Sequence, residues 1–412
     1  MAEAHRALVF GIDSQIGLTV VRELAAHGVQ VYGIGHSRRA LGLYSRATTR
    51  GWVLETSREP VEVVNELARD FGIPFLLVIG ESDINYFNAN REALVGIRPL
   101  IPAPHKMALV LDKLRIYEIA GTLGIETPHC IQPEREAEIA AICEQVNYPV
   151  VLKWRNPHAV QARLASNGLA LQKKRYCYDK QTLGDVLHRY DAVGQYPIVQ
   201  SFAPGYGIGQ MFFMYDGKAI LRFQHRRVRE WPPEGGASTV CESVPVEPSL
   251  MENSIELLRR IGWEGPAMVE YRYDQGAKRA VLMEINGRFW GSLPLSYYAR
   301  APFAWLTYSM LGMHETPDLH DYKVGLRCSS LVPDVKRLYR ILFRPDLIEN
   351  KSLRLSKPAE IASFLVTHLD PRHRGYVFHW LDPLPAIADL YFGLREVINF
   401  RPAKKEHYGA VP

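Results

Sequence analysis

The chain has 412 residues, 47% of them hydrophobic and 23% charged, the composition of a folded protein long enough for two or three domains. Its formal net charge of +5, with no tract of Lys and Arg interleaved with aromatics, excludes a dedicated nucleic-acid binder and leaves a weak attraction for small anions such as nucleotides. No apolar run approaches the roughly 18 residues that a membrane span requires, and no signal-peptide pattern precedes the first strand, so no transmembrane segment is expected.

Taken in chain order, Ala7–Phe10 is a short apolar run that reads as a strand. Gly11 and Gly17 follow it, then the helical pattern Leu18–His27 and a second strand, Val29–Ile34. Phe75–Ile79 reads as another buried strand. Strands alternating with helices predict a mostly parallel α/β sheet. The turn after the first strand has the outline of a dinucleotide fingerprint, but Asp13 stands at the second glycine position and would repel a pyrophosphate. That makes a nicotinamide-dependent oxidoreductase the least favoured reading. His36-Ser37-Arg38-Arg39 and Glu81-Ser82-Asp83 follow strands, where open α/β sheets place ligands.

From about Pro104 the pattern changes to α+β. Met107–Leu123, Glu134–Val146 and Ser249–Ile261 predict helices. Pro149–Lys153, Leu169–Leu171, Ile198–Phe202, Gln210–Tyr215, Ala219–Gln224, Ala267–Tyr273 and Ala280–Ile285 predict strands of an antiparallel sheet. Beyond residue 320, Lys336–Phe343, Pro358–Leu369 and Pro385–Phe400 read as helices. The last has aromatics and leucines on one face, expected to pack against the rest of the chain, with a partner or membrane surface as the other use. The expected division is therefore 1–104, 105–320 and 321–412. The five cysteines (Cys130, Cys143, Cys177, Cys241, Cys328) form no CxxC pair, so neither zinc nor a disulfide framework is expected, and a reducing cytoplasm is the natural compartment.

The most informative stretch is Met268–Arg288. Two strand-like runs flank Asp274-Gln275-Gly276, a turn signal, and predict a β-hairpin. Alternate side chains share a face, which puts Glu284, Asn286 and Arg288 together. A turn centred near Ala277 sets Glu270 opposite Glu284. Like charges across a ladder are unfavourable. A divalent cation between them removes the conflict, and two carboxylates with an amide oxygen are the hard donors that Mg²⁺ takes beside nucleotide phosphates. Arg288 beside them suits a phosphate or carboxylate. The alternative is an edge hairpin with solvated charges, and a one-residue slip of register would separate the group.

Glu-Ile-Asn-Gly-Arg288, with Val-Glu-Tyr about a dozen residues earlier, resembles the metal-binding end of ATP-grasp enzymes, closest to stand-alone proteins that look like pieces of carbamoyl-phosphate synthase or biotin carboxylase. The resemblance covers roughly residues 5 to 310. It implies a Rossmann-like pre-ATP-grasp domain, an ATP-grasp domain with antiparallel sheets, and a helical C-terminal extension outside the likeness. It implies that Glu270, Glu284 and Asn286 hold Mg²⁺ (Mn²⁺ being admissible) against ATP, with Arg288 at the reacting centre. Lys153, at the end of a strand, and Lys113, after Asp112 at the head of a helix, match the two nucleotide lysines. Gln200, Ser201 and Phe202 match the hinge whose backbone meets adenine.

Two departures stand out. Tyr206-Gly-Ile-Gly-Gln210 lacks the acid that the family often carries there. The place of the glycine-rich phosphate loop holds Trp154–Gly168 with one glycine, where Arg155, His158 and Arg163 would supply charge. Arg226 or Arg227, near the Gly235-Gly236-Ala237-Ser238 loop, is expected on the acceptor side, since Arg grips planar oxyanions. The implied activity is an ADP-forming ligase that activates a small-molecule carboxylate as an acyl phosphate and couples it to an amine. A homodimer is compatible with it. A catalytically silent ATP-binding protein on the same fold is the alternative.

Overall fold

The computed structural model describes residues 5–172, 174–350 and 353–398. Strands β1 (Arg6–Phe10), β2 (Gln30–Gly35), β3 (Arg50–Val53), β4 (Phe75–Val78) and β5 (Arg98–Pro99) form a parallel sheet in the order β3-β2-β1-β4-β5. Ala7, Leu8 and Val9 are buried in succession, as befits a strand covered on both faces. The helix Gln15–Ala26 starts hard against the end of β1. Ser14 caps it by accepting from the Ile16 N–H at 3.2 Å. At Gly17 any side chain would lie 2.5 Å from the Gly11 carbonyl oxygen.

A small antiparallel sheet follows, built from β6 (Cys130–Ile131), β7 (Val150–Lys153), β8 (Arg175–Cys177) and β9 (Ile198–Ser201) in the order β6-β9-β7-β8. Its own core includes Val150, Leu152, Leu183 and Leu187, together with Val160 and Leu164 of the helix Pro157–Ser166. The third sheet has seven strands: β10 (Tyr206–Tyr215), β11 (Lys218–Trp231), β12 (Ala237–Ser243), β13 (Gly265–Asp274), β14 (Arg279–Asn286), β15 (Arg327–Ser329) and β16 (His373–Gly375). Their order is β14-β13-β10-β11-β12-β15-β16, and only the β15–β16 pair is parallel.

Period-two alternation sorts the side chains of the large sheet. Ile208, Phe212, Val269 and Tyr271 meet Leu250, Ile255 and Leu258 of the helix Pro248–Arg260 on one face. Met211, Phe213, Phe223 and Met268 share a core with Val9, Val20 and Leu77 of the N-terminal sheet on the other. The C-terminal helices Leu331–Phe343, Lys357–Leu369 and Leu384–Ile398 close the chain. Two buried ion pairs fasten this extension. Arg229 of β11 meets Asp334 at 2.7 Å, and Arg22 of the first helix meets Asp382 at 2.9 Å.

The differences from the sequence reading are local. Leu169–Leu171 is not a strand; β8 takes that role a few residues later. The expected helix Met107–Leu123 is two helices, Pro104–Leu111 and Lys113–Thr122, because Asp112 turns extended and caps the second by accepting from the Arg115 N–H. The strand expected to stop at Gln224 runs on to Trp231, so His225 to Trp231 belong to the sheet. The extension supplies two short strands as well as helices.

Candidate active site

The hairpin β13–β14 pairs Glu270 with Glu284 and Met268 with Asn286. Near the turn the register is one residue different, Tyr271 opposite Leu282, so a bulge at Met283 is what brings the two carboxylates face to face. The bulge leaves a carbonyl, and Tyr117 fills the need: its hydroxyl donates to the Met283 oxygen at 2.7 Å. Tyr117 lies four residues after Lys113 on the helix Lys113–Thr122, so both project from one face. Lys113 Nζ accordingly stands 3.9 Å from Glu284 Oε2. The Asp112 break starts that helix at the position that aims Lys113 this way.

Lys153 ends β7 and faces the same acids from the small sheet. Burial pulls its ammonium below the ordinary lysine range, while Glu284 and Glu270 oppose the fall and Lys113 adds to it. Burial also works against charge on Glu284, but Lys113 and Lys153 outweigh it and hold that carboxyl below the usual range. Glu270 goes the other way. Burial pushes it up, and Glu284 adds to the push despite Arg227. Asn286 donates through its amide N–H to Glu284 Oε1 at 3.3 Å, so its amide oxygen is not spent on that contact. Two facing carboxylates plus an amide oxygen are a donor set that fits Mg²⁺.

The two candidate arginines of β11, Arg226 and Arg227, separate. Arg227 is largely but not wholly buried and makes a short ion pair with Glu270 and a 3.1 Å bond to Glu230. To reach Glu270 it crosses the intervening strand β10 over Gly207, where a Cβ would lie 2.7 Å from its Cδ. Arg226 points to the opposite face, paired with Glu242 at 2.8 Å, because adjacent residues on a strand alternate. The expectation named either arginine; the structure turns Arg227 to the carboxylate face and Arg226 away from it. Next to it, His225 crosses over Gly209, donates or accepts with Ser292 Oγ at 3.0 Å, and is held neutral, its pKa pulled down to about 3 by burial and by Arg227. Ser243, His225, Gly209, Glu270 and Glu284 form one row across five strands.

Arg288 leaves the end of β14 and donates to Glu81 Oε2 at 3.1 Å. It tethers the hairpin to the N-terminal sheet, and it borders a cavity of about 320 Å³ shared with Arg91, Lys106, Trp263 and Phe289. The hinge residues are arranged less openly than expected. Ser201 donates its N–H to the His129 carbonyl at 2.8 Å, and Gln200 pairs with both Cys130 and Val151. Phe202 is the first of the three beyond the ladder. The Gln200 side chain is buried, within 3.4 Å of the Tyr117 hydroxyl. Pro157–Ser166 is a helix, Pro at its head and Val160 and Leu164 buried, where a charged loop was expected. Arg155 pairs with Asp112 at 2.6 Å, and the side chain of His158 lies outside the described residues.

Sequence reading missed Tyr117, His225, Lys174 and Glu230. Lys174 reaches the Glu230–Glu234 end of β11 from the small sheet, and burial draws its ammonium down. Tyr176 donates to the Glu234 carbonyl at 2.6 Å beside it. Two glycines two apart on a strand, Gly207 and Gly209, were a readable sign that larger side chains pass over that spot.

In the N-terminal sheet, Asp13 is occupied by His36, whose ring bonds to it at 2.8 Å and to Asp83 at 3.2 Å. The bonds to Asp13 and Asp83 outweigh burial and push the imidazole up from 6.5 to about 10. Stability from this cluster is fully present below pH 6.5 and is lost as pH rises through about 10. The thermal midpoint of His36→Gln should therefore lack the parent's decline across that window. Parallel slopes for the two proteins would dismiss the cluster as a stabilising element.

No family model matches the sequence, and no curated protein matches it. Solved structures do. The MgADP-bound biotin carboxylase domain of the 2-oxoglutarate carboxylase of Hydrogenobacter thermophilus aligns at a TM-score of 0.59 and 15% identity, over 78% of this chain and 73% of that one. The N5-carboxyaminoimidazole synthetase of Staphylococcus aureus gives 0.60 and 13%, over 86% and 91%. The L-amino acid ligase of Bacillus licheniformis gives 0.56 and 15%, over 75% and 74%. The common element is the ATP-grasp architecture, and this chain has that fold.

Proposed function

We propose that the chain is an ATP-dependent, ADP-forming ligase that activates a small carboxylic acid and joins it to an amine. The observation that carries the reading is the convergence of Glu270, Glu284, Asn286, Lys113 and Lys153 from four separate elements. Glu270, Glu284 and the Asn286 amide oxygen would hold Mg²⁺, which would supply positive charge to offset that of the phosphates. A magnesium-bound adenine nucleotide in this fold is supported by the MgADP of the Hydrogenobacter structure.

The chain's own groups account for the rest. Lys113 and Lys153 neutralise the phosphates and keep Glu284 ionised. Arg227 holds Glu270 in register, a positioning role in place of direct contact with substrate. Arg288, aimed by Glu81, holds the substrate carboxylate. An oxygen of that carboxylate attacks the γ-phosphorus, ADP departs with the electrons of the broken P–O bond, and an acyl phosphate remains. The amine nitrogen then attacks the acyl carbon, and inorganic phosphate leaves. No protein nucleophile is required; positioning and electrostatics supply the acceleration. The 1–104, 105–320 and 321–412 division assigns the acceptor pocket to the seam between the first two parts.

Thermal unfolding tests the nucleotide half. A ligand at a hundredfold excess over Kd stabilises by about 2.7 kcal/mol. A rise in midpoint with Mg-ATP, and none with ATP plus EDTA or with NADH, is expected. A rise with NADH alone would return the reading to the N-terminal sheet. Binding without ADP release across a panel of acids and amines would make the chain a silent ATP-binding protein.

A further inference from the structure

Among the described residues, the large apolar side chains that stand exposed are concentrated in one part of the chain: all but Val95, Val228, Val246 and Val324 lie between Leu331 and Tyr391. They are ordered. Leu331, Val335, Tyr339 and Phe343 recur every fourth residue on the helix Leu331–Phe343, and Ile361, Leu365 and Leu369 do the same on Lys357–Leu369. Leu384, Ile387 and Tyr391 follow the same face of Leu384–Ile398. Such spacing makes a stripe, and here the stripes face water. Phe343 is 66% exposed, Leu369 79% and Trp380 85%.

The helices are joined into one layer. Arg337 of the first donates to Glu360 of the second at 2.6 Å, and Gly393 of the third lies beside Val332 of the first. Buried ion pairs anchor the layer to the rest of the chain, Arg229–Asp334 at the first helix and Arg22–Asp382 just ahead of the third. Soluble monomers rarely leave an apolar face of this extent open, and one rimmed by polar groups marks a docking surface.

Charge selects the occupant. From Leu331 onward the sequence holds thirteen Lys and Arg against nine Asp and Glu, which is +4 of the chain's net +5. Among the described residues of this stretch, six exposed cations, from Arg344 to Arg395, stand against two exposed acids, Asp346 and Glu349. A second copy would set this cationic rim against itself, since a two-fold interface pairs a patch with the same patch. An anionic lipid surface complements it. Helices lying in such a surface carry Leu, Phe and Trp on one side and Lys and Arg at the edges, and Trp favours the boundary between tails and headgroups. No described helix is long and apolar enough to cross a membrane, so the contact is peripheral. We infer that the C-terminal helical layer docks the protein on an anionic lipid surface, with Trp380, Phe343 and Leu369 entering the headgroup region.

The test is cosedimentation of the full chain with phosphatidylcholine vesicles, with and without about a third phosphatidylglycerol, at low and high salt. Binding is expected with the anionic vesicles, weakened by salt as screened contacts are. Phe343→Ser/Leu369→Ser/Trp380→Ser should reduce the partition about tenfold or more, since each change removes an inserting apolar group. Should that variant not fold, Arg354→Glu/Arg372→Glu leaves the apolar stripes untouched and should show the same loss. Absence of binding by the parent, or variants that bind as the parent does, overturns the inference. A parent that light scattering finds dimeric and the apolar variant monomeric, with no vesicle binding by either, assigns the face to a second copy and overturns it as well.

Discussion

Glu284→Ala is expected to all but abolish Mg-ATP-dependent ADP release, a fall of about 10²–10³-fold, of the size seen when a preorganised electrostatic contact at a reacting centre is removed. The magnitude follows from what converges on that carboxylate. Lys113 lies 3.9 Å away, Asn286 bonds to it at 3.3 Å, and Glu270 faces it across the ladder. Deleting it takes one of two acids from the metal set and leaves the lysines to bind phosphate without a counter-ion to organise them. Folding should survive, because the substitution relieves a like-charge pair and removes no apolar contact. Glu284→Gln, which keeps the volume, should fail equally. Turnover within tenfold of the parent in either variant would remove Glu284 from the metal set.

Asp334→Asn carries the largest expected effect on stability. Asp334 and Arg229 are almost fully buried, with bonds at 2.9 and 2.7 Å, and Thr239 donates to the same carboxylate at 2.8 Å. Removing one charge strands the other, and breaking a buried pair in this way costs about 3–5 kcal/mol. Arg229 also donates to Ser363 and Thr367, so the loss should loosen two C-terminal helices from β11 together. Burial raises the Asp334 pKa, but His368 and Arg229 overrule it and hold the acid at about 2, against 3.8 for a free one. The pair's stability is therefore present above pH 3.8 and lost as pH falls through about 2. Urea unfolding should show a lower midpoint for the variant at neutral pH and a gap that narrows on acidification. A gap that stays constant down to pH 2 would contradict the assignment.

The hairpin was legible because its information is local. Turn residues, alternation and the Glu-x-Asn-x-Arg spacing all sit within twenty-one residues of sequence, and the facing of Glu270 and Glu284 followed. The reason it followed was only half visible, since the register near the turn is off by one and Met283 absorbs the difference. The parallel sheet was legible from its continuous apolar runs. What escaped depends on neighbours distant in sequence. Nothing in Arg226-Arg227 says which one faces the acids; that is fixed by where β11 meets β10 and by the two glycines that clear the way. Short strands such as β15 and β16 exist through pairing with a sheet already formed. The hinge looked open because a single sequence does not show that β9 has partners on both sides.

Arg22 and Glu23, side by side on the first helix, both take partners far downstream. Arg22 finds Asp382, and Glu23 accepts from the Trp305 N–H at 2.8 Å. At a synthesis rate of about 5–20 residues per second, the ribosome delivers Asp382 on the order of 20–70 s after Arg22. Until then the Arg22 guanidinium of the nascent N-terminal part stays without its carboxylate partner, while Glu23 is served sooner, when Trp305 emerges. A shortened chain ending before Asp382 would carry that defect permanently, so truncation of the tail should be felt first at the opposite end of the molecule.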